Sequence, residues 1–117
     1  MARLSTHVLD TTRGTPAVGI LIELHRVDGT DQRTIATAVT NADGRTEEPL
    51  LAGDHLDTGI YELVFHTTSY FRLGEAPLTT PPFIGDVVIR FGIGDPAANY
   101  HVPLLLSPYG YTTYRGS

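Results

Sequence analysis

An all-β antiparallel sandwich is the fold class this sequence predicts, and three observations predict it. Runs rich in Val, Ile, Thr, Tyr and Phe recur roughly every ten residues, giving about eight short strands. The 12 glycines and 8 prolines leave only short uninterrupted segments between them. Helical periodicity is nearly absent. A length of 117 residues, with no internal repeat, linker or low-complexity tract, suits one domain over residues 1–117.

The elements follow in order. Residues 4–9 alternate Leu4, Thr6 and Val8 against Ser5, His7 and Leu9, the two-residue period of a half-buried strand. Arg13-Gly14-Thr15-Pro16 is a turn. Residues 20–26 form a second strand with Ile20, Ile22 and Leu24 on one face, and Asp28-Gly29 is a hairpin signal. Residues 33–40 return with Ile35, Thr37 and Val39 aligned. Asn41-Ala42-Asp43-Gly44 turns the chain into a short segment at Arg45. Residues 59–67 are a strong strand. Residues 69–73 are the one place for a short helix, bounded by Pro77. Residues 87–93 and 100–106 are strands, and Pro103 in the latter implies an edge or a bulge. Tyr109-Gly110 turns into a last strand over 111–115. That strand is aromatic and nearly uncharged, so pairing with its copy in another subunit is expected.

Composition narrows the function. A net charge of -5 with no Lys/Arg run argues against nucleic acid. Cysteine is absent, which removes disulfides and thiolate metal sites. No stretch approaches the ~20 apolar residues of a membrane helix, and the first residues lack a signal-peptide core. A cytoplasmic location without membrane association is therefore expected.

Histidine offers the chemistry, because it titrates near neutral pH. His25 and His55 read as solvated surface residues, and His66, at a strand end, as structural. His7 and His101 differ. Each alternates with core-facing neighbours and so faces outward. Their face also carries Leu9, Pro103 and Leu105, too apolar for plain solvent. It implies a second buried surface, either a subunit interface or a pocket. The carboxylates Glu47, Glu48, Asp54 and Asp57 lie in loops. No third ligand accompanies the two histidines, so no metal is expected, and no nucleophile elbow is present. In the tail, Thr112 and Tyr114 share a face.

These residues resemble a known family. Leu4-Ser5-Thr6-His7-Val8-Leu9-Asp10, Gly14-Thr15-Pro16-Ala17, Thr40-Asn41-Ala42-Asp43-Gly44-Arg45, residues 61–71, residues 100–111 and Tyr114-Arg115-Gly116-Ser117 are similar to 5-hydroxyisourate hydrolases, the transthyretin-like proteins. The likeness covers essentially the whole chain, and the terminal Tyr-Arg-Gly-Ser is its most specific element. It implies a transthyretin-like sandwich of two four-stranded sheets with one short helix. It also implies a homotetramer, a dimer of dimers around a channel. The first, seventh and eighth strands would share a sheet, with the short strand after Gly44 at its edge. His7, Leu9, His101, Leu105, Thr112 and Tyr114 would form the channel wall, Arg45 would reach it from the edge strand, and Ser117 would complete it.

The implied reaction is cofactor-free hydrolysis of the ring amide of 5-hydroxyisourate in urate catabolism. The product is 2-oxo-4-hydroxy-4-carboxy-5-ureidoimidazoline. His7 and His101 would activate water, Arg45 would anchor the ring and its developing charge, Tyr114 would position substrate, and Ser117 would orient substrate or water. The competing class is a small-molecule carrier. The joint presence of His7, Arg45, His101 and the Tyr-Arg-Gly-Ser tail speaks against it.

Overall fold

The computed structural model describes residues 2–117. Its elements are β1 (Arg3–Asp10), β2 (Thr15–Pro16), β3 (Leu21–Asp28), β4 (Asp31–Val39), β5 (Leu51–Ala52), β6 (Gly59–Phe65), α1 (Thr67–Leu73), β7 (Val87–Ile93), β8 (Tyr100–Ser107) and β9 (Gly110–Thr113). One sheet runs β2-β1-β8-β9, with β5 also on β1, and the other runs β4-β3-β6-β7. The two sheets form a sandwich with one short helix, the expected architecture.

The core lies where the alternation places it. Leu4 and Val8 of β1, Ile22 and Leu24 of β3, Leu63 and Phe65 of β6, and Leu104 and Leu106 of β8 are fully buried. Each such side chain contributes about 1.5–3 kcal/mol relative to exposure. In β1 the inward residues alternate with half-buried Ser5, His7 and Leu9. Gly29, at φ 61°, opens the two-residue turn that closes the β3–β4 hairpin.

Four details depart from the sequence reading. First, β1 and β8 pair in parallel, from Leu4 beside Tyr100 to Asp10 beside Leu106; every other named strand pairing is antiparallel.

Second, β8 is a central strand, between β1 and β9, although Pro103 implied an edge or a bulge. The missing N–H is tolerated because it falls on the β9 side, where the ladder lapses. Gly116 N donates to the His101 carbonyl and the Thr113 hydroxyl to the Pro103 carbonyl, while regular pairing stops at Thr113. The last strand accordingly ends two residues before Arg115.

Third, no strand forms at Arg45. The fourth position of that sheet is filled by two stubs, β2 beside Leu9 and Asp10, and β5 beside Arg3 and Leu4. Asn41 Oδ1 accepts from the Asp43 and Arg45 amides and wraps the chain into a turn. Pro49 then has no N–H to offer a ladder, so extended pairing resumes only at Leu51.

Fourth, α1 begins two residues earlier than expected. Asp86 Oδ1 accepts from Thr68 N, and the Thr67 hydroxyl donates to the Gly85 carbonyl.

A buried carboxylate ties α1 to the site-bearing sheet. Asp10 is 1 % exposed. Its Oδ1 accepts from the Thr12 and Arg13 amides, and its Oδ2 accepts from the Tyr70 hydroxyl at 2.7 Å. Burial and this carboxylate push the Tyr70 phenol up to about 12. Tyr70→Phe deprives a buried charge of a donor, so it is expected to lower unfolding free energy by about 1–3 kcal/mol. An unchanged urea midpoint would show the bond to be energetically idle. No described helix is long and apolar enough to cross a membrane.

Candidate active site

The outward face of the β1–β8 pair carries the candidate chemistry. In the parallel register Ser5 sits beside His101 and His7 beside Pro103. His7 and His101 therefore lie on one face of one sheet, as the alternation predicts, and both are half-buried.

A cavity of about 370 Å³ on this face is lined by Arg3, Ser5, Arg45, Asn99, Tyr100, His101 and Ser117. It gathers three of the residues picked from sequence: Arg45, His101 and Ser117. His7 adjoins it without lining it. Gly44, the residue before Arg45, explains the fit at that end. Its φ is +75°, and a Cβ there would collide with the Val8 carbonyl and sit 3.4 Å from Cδ2 of His7. Val8 N donates to the Gly44 carbonyl at 2.8 Å, so the turn is fastened to β1 beside His7.

At the other end the tail folds back on β8. Gly116 N donates to the His101 carbonyl at 2.7 Å, and a Cβ on Gly116 would come within 2.6 Å of His101 Cδ2. Only a residue without a side chain lies flat against that ring, which gives the Gly of Tyr-Arg-Gly-Ser a physical reason.

Tyr114 is not brought into this cavity. It is exposed and lines an adjoining, mainly apolar cleft of about 500 Å³ between β7 and the β8–β9 pair, with Ile89, Phe91 and Val102; Tyr100 and His101 line both this cleft and the cavity. That cleft is larger, but the smaller cavity is where His101 meets Arg45 and Ser117.

The electrostatics of the smaller cavity are cationic, although the chain as a whole is acidic. Neither Arg3 nor Arg45 makes a salt bridge among the described residues. Burial, then the Arg45 guanidinium, then His7, hold the His101 imidazole below its ordinary value of 6.5. The neutral ring, the form able to accept a proton, is favoured near neutrality. Ser5, Arg3 and Asn99 are not singled out from sequence, and Gly116 enters only as part of the Tyr-Arg-Gly-Ser motif. Ser5 shares the face of His7 in the two-residue alternation, a signal that was available. The placement of Arg3 and Asn99 depends on the β1–β8 register.

The other histidines lie elsewhere. His55 is exposed. His25, expected to be solvated, is instead half-buried and pairs with Glu23 at 3.2 Å. His66 bridges Glu23 and Asp86. Hydrogen bonds from His66 and then His25 hold the Glu23 carboxyl below the usual carboxylate range. This is a charge network that pins α1 to β3, with its donors and acceptors matched internally. Among the described residues no group of three or more His, Asp or Glu is placed to hold a metal ion.

The chain as a whole is similar to known proteins. Residues 4–116 match the HIUase/Transthyretin family. The 5-hydroxyisourate hydrolase 2 of Rhizobium meliloti (strain 1021) is 55% identical over 115 residues, covering 98% of this chain and 96% of that protein. The structure of Klebsiella pneumoniae 5-hydroxyisourate hydrolase aligns with a TM-score of 0.83 at 38% identity, over 100% of both chains. The crystal structure of (S)-allantoin synthase aligns with a TM-score of 0.93 at 41% identity; the match covers 99% of this chain and 44% of that one.

Proposed function

The chain belongs to the HIUase/Transthyretin family, and from that premise we propose how it works as a 5-hydroxyisourate hydrolase, a cyclic amidase of urate catabolism. The observation that carries the site assignment is the convergence of His101, Arg45 and Ser117 on one cavity of about 370 Å³ beside His7.

Water attacks the acyl carbon of the ring amide, the C–N bond breaks, and the ring opens to a carboxylate. His101, with His7 beside it, takes the proton from water and returns it to the departing nitrogen. General catalysis of this kind contributes about 10²–10⁴-fold. Arg45 supplies fixed planar donors to the ring oxygens and to the oxyanion as charge develops. Arg3 adds a second cation to the same wall. Ser117 orients the substrate or water through its hydroxyl. Tyr114 stays a substrate-positioning candidate only through the neighbouring cleft or an adjoining subunit.

We assign the working form to a homotetramer, a dimer of dimers. β7 and β9 end their sheets on the same side, flanking the apolar cleft, so both leave unpaired ladders for another copy. The site-bearing face also exposes Leu9 and Leu105 only partly. Sedimentation at micromolar concentration tests this, and a monomer alone would refute it.

The function itself is tested by the ultraviolet absorbance decay of freshly made 5-hydroxyisourate. An enzyme accelerates the decay catalytically, over many equivalents. A carrier, the rival reading, alters the signal by no more than one equivalent per site. Deleting residues 115–117 removes Ser117 and the Gly116 clamp, and it is expected to lower turnover at least 10²-fold with a small change in melting temperature. Retained activity would exclude the tail from the site.

A further inference from the structure

The ring of His101 is held from two sides. Nδ1 lies 2.9 Å from the Ser5 hydroxyl. Cδ2 packs against Gly116, where a Cβ would intrude to 2.6 Å. Among the described residues, Nε2 has no hydrogen-bond partner. The Ser5 contact follows from topology, because the parallel pairing sets Ser5 directly beside His101 on the outward face. A neutral imidazole carries one N–H; a hydroxyl at Nδ1 can accept or donate, and the role it takes fixes which nitrogen keeps the lone pair. The Ser5 backbone also favours a proton on this ring, against burial and the neighbouring cations.

We infer that Ser5 is a positioning residue for the hydrolysis: its Oγ accepts from Nδ1–H of His101 and so presents Nε2, with its free lone pair, to water in the cavity. A histidine side chain free in solution prefers the opposite tautomer, with the proton on Nε2, which leaves no lone pair there to act as a base. Ser5 thus selects the reactive form of the base without touching the reacting atoms. The inference rests on the hydrolase reading and deepens it.

The test combines kinetics with nitrogen NMR of His101. In the wild-type protein the neutral ring is expected as the Nδ1–H tautomer. Ser5→Ala is expected to move it toward Nε2–H and to lower kcat about 10-fold with little change in KM. Ser5→Thr keeps the hydroxyl and is expected to restore most of kcat and the wild-type tautomer. A wild-type ring protonated at Nε2 overturns the inference without any variant. So does a Ser5→Ala protein with wild-type kcat, or Ser5→Ala and Ser5→Thr proteins equally impaired. Absence of turnover by the wild-type protein would instead sink the hydrolase reading, and the tautomer measurement would still decide what Ser5 does to the ring.

Discussion

Replacing His101 with asparagine is expected to lower kcat by about 10²–10⁴-fold and to leave the sandwich folded. The side chain sits on the outward face of β8, between inward Tyr100 and Val102, and contributes nothing to the core. Asparagine is close in size and retains an amide that can meet the Ser5 hydroxyl, but it has no basic lone pair.

The pH profile separates this role from a structural one. A base works when deprotonated, so activity falls as pH drops through the His101 value. Burial and Arg45 hold that value below 6.5, so the acidic limb of kcat/KM should lie below 6.5 in the wild-type protein. The limb should vanish in His101→Asn. Turnover near the wild-type rate, or an unchanged acidic limb, would remove His101 from the chemistry.

The second large effect concerns Arg45. Arg45→Ala is expected to cost about 10²–10³-fold in kcat/KM, the scale of losing one preorganised oxyanion donor. Its guanidinium is exposed and makes no salt bridge among the described residues, so the melting temperature should barely move. Arg45→Lys keeps the charge but loses the planar fork, and should recover only part of the activity. Removing the cation also frees His101 from one of the groups that depress it. The acidic limb should therefore move upward toward 6.5 in Arg45→Ala. A loss of activity without that movement would place Arg45 farther from His101 in function than the cavity suggests.

The fold was legible wherever the pattern was local. Alternation in residues 4–9 and 100–106 placed Leu4, Val8, Leu104 and Leu106 inward and His7 and His101 outward, because side chains on a strand can go only two ways. Pairing between distant strands left no such mark. Nothing within either strand announces that Ser5 meets His101, a contact 96 positions apart. The reading of Pro103 as an edge or bulge marker holds only locally: β8 is central where Leu104–Ser107 pair with β9, but the ladder on that side does not extend to Pro103. Arg45 was correctly placed near the histidines by resemblance, yet on the wrong kind of element, since the side-chain bonds of Asn41 and the missing donor of Pro49 decide that stretch. For Tyr114, alternation gives only a face shared with Thr112 and the resemblance gives the role; the cavity that receives Ser117 leaves it outside, in the cleft it shares with His101.

The parallel union of β1 with β8 also has a kinetic meaning. The β3–β4 hairpin closes over two intervening residues, Gly29 and Thr30, whereas the catalytic sheet must join segments from nearly opposite ends of the polypeptide. Loop closure over such a span is entropically costly and slow to reward. Catalytic competence should therefore be among the last properties regained after dilution from denaturant, trailing the hairpin.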